Sequence, residues 1–267
     1  TGKEGNDIYS YISRFRVSAD PDVAAPTSEA RLFRLRQFAI YHKGGDLEFD
    51  PRDAALYAAV GDDTSPPNAQ SLDTPKGKLI RLQVDDIPAA AVGDVGDQIE
   101  PELVVMGLRN PYRFDLDPQS NRLFIGDVGE NTWEEVNVVA LDDTLPNMGW
   151  PCREGPEPFT LYQNHPVCAG DQTFVDPVAY LSHEDGHCAV IAGIFTRTAN
   201  SAGEFIYADA CSHAVFSMNE AGEVWNSAKL GTAPAGGLLT TIGEDARGNL
   251  YIGIAQSDKP IYRVILR

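Results

Sequence analysis

The sequence predicts an all-β protein of the β-propeller type, built from short antiparallel sheets repeated around an axis. Three observations carry that prediction. The first is a weak repeat: apolar alternation, an Asp-containing turn, a Leu-Tyr-like pair on a second strand and often a Gly-Asp. It is visible at Leu47-Glu48-Phe49-Asp50 to Leu56-Tyr57 and Gly61-Asp62, and at Phe114-Asp115-Leu116-Asp117 to Leu123-Phe124 and Gly126-Asp127. It returns at Ile242-Gly243-Glu244-Asp245 to Leu250-Tyr251, with a degenerate copy around Glu204 to Met218. The second is spacing, since intervals of roughly 45 to 80 residues suit blades with long loop insertions. The third is that no stretch of about 10 to 15 residues joins helical periodicity to caps, which disfavours parallel α/β folds. The hairpins of an all-β sandwich would produce a similar repeat.

In chain order, Tyr9 to Val17 alternates apolar and polar side chains and predicts a half-buried strand. Ala19 to Thr27, rich in Pro, Asp and Ala, predicts a loop, and Arg31 to Leu35 a short strand. The repeat copies follow. Four copies and the opening strand amount to about four to five blades in a single domain over residues 1–267. An unclosed ring would leave sheet faces and edges bare, so a further segment or second chain completing it is expected. The chain opens on Thr1 without a methionine, which predicts a removed leader or a longer chain.

Composition narrows the partners. A formal charge of −18 from 39 acidic against 21 basic residues, scattered along the chain, repels phosphate backbones, so no nucleic acid is expected. The same surface tolerates calcium, which takes carboxylate and carbonyl oxygens. No apolar run approaches the roughly 18 residues of a membrane span. The cysteines, Cys152, Cys168, Cys188 and Cys211, form no C-x-x-C, which argues against a zinc ribbon or redox dithiol. At loop positions they fit two disulfides in an oxidising, extracytoplasmic compartment, with three pairings open; free buried thiols are the alternative.

One run is specific enough to suggest kinship: Gly107-Leu108-Arg109-Asn110-Pro111, a second strand, Gly126-Asp127-Val128-Gly129-Glu130-Asn131, Glu134-Glu135-Val136-Asn137 and Asn147-Met148-Gly149-Trp150-Pro151. These linked pieces, in this order, resemble the soluble quinoprotein glucose/sorbosone (aldose sugar) dehydrogenases and the related hedgehog-interacting-protein propellers. The resemblance implies a six-bladed propeller whose first blade or blades are missing here, because Arg14-Phe15-Arg16-Val17-Ser18 matches a segment well inside the family fold. It also implies the pairs Cys152 with Cys168 and Cys188 with Cys211.

For the chemistry, His42 in Tyr41-His42-Lys43-Gly44-Gly45-Asp46-Leu47-Glu48-Phe49 matches the family's general base, and Asp62 the carboxylate that orients it. An imidazole near its ordinary pKa takes a proton at neutral pH, and a carboxylate on its other nitrogen fixes the tautomer. Arg109 matches the cation beside the quinone carbonyl of pyrroloquinoline quinone (PQQ), and Asn110 a residue that hydrogen-bonds that cofactor. Gly129 and Glu130 match positions whose backbone carbonyls hold the cofactor's calcium. Glu135 matches a carboxylate of a second calcium site, with backbone near Met148. The implied activity is oxidation of an aldose at its anomeric carbon.

This sequence departs from the family in three places. Glu130 stands where the family has proline, Val128 where it has a cofactor-contacting glutamine, and Gly237 to Ile242 lacks the arginines that pair with the cofactor's carboxylates. A non-catalytic, calcium-stabilised propeller that binds a protein or glycan is therefore the alternative. A lactonase-like propeller would require several Asp and Asn ligands around one axis. His183-Glu184-Asp185-Gly186-His187 satisfies H-E-x-x-H, but Gly186 and the flanking strand pattern predict a loop in place of the helix a zinc protease needs. His165 and His213 are expected to be exposed. Trp133, Trp150 and Trp225 are expected as plugs between blades, with a sugar platform open to Trp150.

Overall fold

Side chains alternate across a strand, so a sheet with apolar residues at both parities can bury both faces. The middle sheets of this chain do so. The computed structural model describes residues 2–5, 7–96, 99–142, 144–196, 203–222, 224–256, 258 and 260–265. Its strands fall into five blade-like sheets and one small hairpin, Arg153–Glu154 with Glu157–Pro158.

Blade one pairs Gly2–Glu4, Asp7–Arg14 and Ala30–Gln37, with Gly93–Asp94 added in parallel. Blade two is an antiparallel meander of Leu47–Phe49, Leu56–Val60, Lys78–Leu82 and Glu102–Val105. Blade three runs Pro111–Asp117, Arg122–Asp127, Trp133–Ala140 and Ala179–Ser182. Blade four runs Val190–Thr196, Glu204–Asp209, Ala214–Ala221 and Val224–Thr232. Blade five holds Leu238–Glu244, Leu250–Ala255 and Ile261–Arg263. The degenerate fourth copy is thus a full blade, with Ala208-Asp209 in place of Gly-Asp.

Successive blades stack face to face. Leu56, Ala58, Val60, Ile80 and Leu82 of blade two pack on Ala30 and Leu32 of blade one. Its opposite parity, Tyr57, Ala59 and Leu79, packs on Phe114, Leu116, Leu123 and Ile125 of blade three. Phe124 and Val136 meet Ala192, Phe205 and Tyr207 of blade four, and Ile191, Ile206 and Ala208 meet Ile242, Ile252 and Ile254 of blade five. Among the described residues no apolar cluster joins blades one and five. The result is an open arc of five blades, the incomplete propeller that the repeat predicts, and not a closed sandwich.

The Asp of each repeat turn has a plain task. Asp50 accepts from Arg52 N, Asp117 from Gln119 N and Ser120 N, and Asp245 from Arg247 N and Asn249 N, closing the hairpin that follows the inner strand. One predicted boundary shifts. The strand expected to reach Val17 ends at Arg14, because Arg16 turns its N–H to Ser28 Oγ and its carbonyl to Ala25 N, leaving Val17 an isolated bridge to Ala24.

Candidate active site

The site is built where blades two and three meet, at the loops that precede their inner strands. His42 sits in the left-handed region (φ 53°) just before the inner strand of blade two. The chain passes close behind it: a Cβ on Gly61 would lie 2.3 Å from the His42 carbonyl oxygen, so this position requires glycine. That close approach brings His42 Nδ1 to 2.8 Å from Asp62 Oδ1.

Asp62 is completely buried. Its Oδ1 also accepts from Thr64 N at 2.8 Å, and its Oδ2 from the Trp150 indole Nε1–H at 2.9 Å. With these donors aimed at it the carboxylate is the acceptor, so the proton lies on Nδ1 and His42 Nε2 keeps its lone pair. The neighbouring Asp63 is kept apart from this arrangement by Lys43 and Lys76, which both bind it. Phe38 N and Ala39 N complete its bonds, and the Asp63 carboxyl lies below its ordinary range because these donors together outweigh its burial.

Arg109 joins the dyad through backbone and ring. Its carbonyl accepts from Asp62 N at 2.8 Å, and its guanidinium lies 5.6 Å from the Trp150 ring centroid. Arg109 Nη1 donates to Val128 O at 3.0 Å and Nη2 to the Glu130 carboxylate, while Nε is buried without an acceptor. Asp62 thus links His42 to Arg109, and Trp150 touches both Asp62 and Arg109. Asn110 Oδ1 accepts from Gly44 N, clamping the His42 loop to blade three, and its backbone N–H reaches Asp127 Oδ1.

The Val128 to Asn131 loop is held from below. Glu154 Oε1 collects the N–H groups of Glu130, Asn131, Thr132 and Trp133, and Glu134 Oε2 takes Gly129 N. Gly129 admits no side chain, since a Cβ would meet Trp133 O at 1.7 Å. Glu135 is buried beside it, receiving Gly155 N and Asn137 Nδ2, and Asn137 Oδ1 is buried without a partner. Burial, with Glu154 and Glu134 nearby, pushes the Glu135 carboxyl up to about 7; burial and Glu135 itself raise Asp127. Rich in buried oxygens, one of them without a donor, this cluster has the ligand chemistry that a hard cation takes. Among the described residues no three His, Cys, Asp or Glu side chains are arranged to hold a metal, so carbonyl and amide oxygens would have to complete the shell.

Other expectations resolve as follows. Cys152 pairs with Cys168 and Cys188 with Cys211. Trp150 is 4 % exposed and packs on Phe159, which rules out a sugar platform and makes it the plug of a loop cluster above the site. His183 and His187 do not share a ligand: the first bonds Glu134 and the second Ser212 Oγ, and Gly186 ends a short 3-10 turn between them at φ 86°. His165 is exposed, but His213 is not; it is buried with its ring nitrogens at Pro234 O and Gly237 O. The loop polarity that predicts exposure misses that the blade four to blade five connection folds over this ring. Sequence reading missed the Trp150 to Asp62 bond and the Glu154 cradle, whose only signal is a carboxylate in a Gly-flanked loop, Glu154-Gly155.

For the quinone, the unpartnered buried Nε–H of Arg109 beside a His–Asp dyad suits a carbonyl acceptor. From Gly231 to Asp245 the chain has no Lys or Arg for its carboxylates.

Comparison with known proteins bears on these features. The family description Glucose / Sorbosone dehydrogenase matches residues 1–183. The HIPL1 protein of Arabidopsis thaliana is 30 % identical over 239 residues, covering 74 % of this chain and 33 % of its own. The aldose sugar dehydrogenase YliI of Escherichia coli is 33 % identical over 111 residues, 41 % of this chain and 29 % of its own. This chain spans about a third of the length of the curated relatives it matches. A solved glucose dehydrogenase superimposes with a TM-score of 0.74 at 22 % identity, over 99 % of this chain and 75 % of that one. The PQQ-bound aldose sugar dehydrogenase of Streptomyces coelicolor gives 0.68 at 22 % identity, over 94 % and 70 %. At such identities the structures speak to the fold, while the sequence match covers both halves of the His42, Asp62 and Arg109 site. The chain belongs to the glucose/sorbosone dehydrogenase family.

Proposed function

We propose that this chain carries the catalytic half-site of a sugar dehydrogenase, oxidising an aldose at its anomeric carbon. The observation that supports this reading is a base-ready imidazole on a buried carboxylate, with that carboxylate and a buried cation both set against one indole. His42 Nε2 takes the proton of the anomeric hydroxyl as the C1–H electron pair departs as hydride, leaving C1 as the carbonyl carbon of a lactone. Asp62 holds the imidazole in the required tautomer and steadies the imidazolium. Pyrroloquinoline quinone, when bound, is the hydride acceptor. Arg109 and Asn110 would face it, and the carbonyls of Gly129 and Glu130 would hold its calcium. Glu135, with Asn137 Oδ1, would take a second, structural calcium. The disulfides fit a secreted or periplasmic setting.

Reconstitution tests the reading: with calcium and quinone added, a bound chromophore and sugar-dependent dye reduction are expected. His42→Ala should lower turnover about 10²- to 10⁴-fold with folding intact; undiminished turnover would remove His42 as the base. A second reading, a propeller that binds a protein or glycan without turnover, is favoured by the Glu130 carboxylate on Arg109 and the missing cations near Gly237. Absence of quinone binding at micromolar concentration would select it.

A further inference from the structure

We propose that Glu130 is a built-in, displaceable competitor for Arg109, setting how tightly this site takes a carbonyl- or carboxylate-bearing ligand. The inference rests on the quinone reading above and concerns the side chain of Glu130, of which that reading uses only the backbone carbonyl.

Arg109 is fixed. It is 9 % exposed, with its ring-facing side on Trp150, Nη1 on Val128 O and its backbone tied to Asp62 and Asp127. Glu130 is not: its side chain is 41 % exposed against 11 % for Arg109. Its anchorage lies in the backbone, through the N–H donated to Glu154 at 2.8 Å. The carboxylate can therefore swing into water while the loop stays in place. An ion pair with one partner this exposed is worth little, on the order of the weak surface pairs.

The pair also leaves the guanidinium incompletely used. Nε remains buried without an acceptor although a carboxylate is bound one nitrogen away. A planar ligand oxygen or carboxylate replacing Glu130 could meet both Nε and Nη2, the bidentate geometry for which arginine is suited. The other cations near the dyad, Lys43 and Lys76, are engaged by Asp63 and cannot substitute. A ligand that needs Arg109 must first evict Glu130, and its apparent affinity falls by the cost of that eviction. This also accounts for a glutamate being usable here: proline at 130 would lack the N–H that Glu154 receives.

The test is a titration of the full chain, in calcium-containing buffer, with pyrroloquinoline quinone, read by quinone absorbance and by quenching of tryptophan fluorescence. Glu130→Ala keeps the backbone N–H and should bind the quinone about two- to fivefold more tightly than the native chain. Glu130→Gln, which still offers an amide oxygen, should fall between them. In an Arg109→Gln background the gain from Glu130→Ala should vanish, which a general loosening of the loop would not produce. Equal affinity of the native chain and Glu130→Ala, or weaker binding by the variant, would overturn the competitor role and leave the cofactor reading standing. No binding by either would overturn both. A gain that persists without Arg109 would also overturn the proposal, since the competition would then lie elsewhere.

Discussion

Blades two and four carry an aspartate at the end of the second strand, Asp209 as its last residue and Asp62 two residues past it, each completely buried, and the two are used for different ends. Asp209 gives its oxygens to backbone: Oδ2 accepts from Cys188 N and Ala189 N, and Oδ1 from Cys211 N and Ser212 N. Asp127 in blade three does the same for Arg109 N and Asn110 N. In each case the carboxylate staples the entry of the inner strand to the end of the second. Asp62 keeps one such bond, to Thr64 N, and turns the rest of its capacity to two side chains, His42 and Trp150. A site is thus made by releasing one blade's staple from its structural duty. What allows this is the left-handed His42 and the absence of a side chain at Gly61, which place an imidazole where the other blades place peptide N–H groups.

Breaking the staples should separate the two uses. Asp209→Ala leaves four part-buried N–H donors without their acceptor and should cost about 2–4 kcal/mol in urea denaturation. Asp62→Asn, which keeps shape and burial, should cost about 1–2 kcal/mol yet lower turnover by about 100-fold or more, because the imidazole loses its charged partner. Equal losses of stability in the two variants would erase the distinction.

The Cys188–Cys211 disulfide spans the same staple, closing 23 positions of sequence around Asp209. Its replacement by alanines should destabilise by about 2–4 kcal/mol, with little effect on the His42 site two blades away. A loss of sugar oxidation beyond the loss of folded protein would show that blade four is coupled to the chemistry.

Acid sharpens the comparison. Burial alone would raise the Asp209 carboxyl, but the N–H donors of Ser212, Cys188 and Ala189 together bring it below its ordinary value. A carboxyl depressed in the folded state contributes stability above its unfolded pKa and loses it as pH falls. The native chain should therefore be more stable than Asp209→Asn at pH 6, and that advantage should shrink on acidification below about pH 4. His187, whose Nδ1 lies 3.5 Å from Asp209 Oδ1, is the other titratable group facing it, and His187→Gln should preserve the trend. The smallest effect belongs to Trp150→Phe, which removes one donor to Asp62: turnover should fall about tenfold, with a stability change of about 1 kcal/mol measured by thermal melting.

The unbroken apolar runs Leu56 to Val60 and Leu123 to Ile125 state in sequence that both sheet faces are buried, so packed blades were legible before any coordinates. The Gly-Asp repeat was legible for a related reason, since strand ends sit at fixed offsets from their turns; His42 with Asp62, and Arg109, were singled out by the family resemblance. His213 and Trp150 were not, because exposure in a loop depends on which distant segment folds over it. Nor was the exchange at Asp62, whose partner Trp150 lies 88 positions away, or the Glu130 carboxylate on Arg109. Local pattern specifies strands, turns and their order, since these follow from backbone sterics and the two-residue period. Which donor finally fills a buried oxygen is decided only when the blades stack, because burial removes water and leaves whichever group has been carried within about 3 Å to take its place.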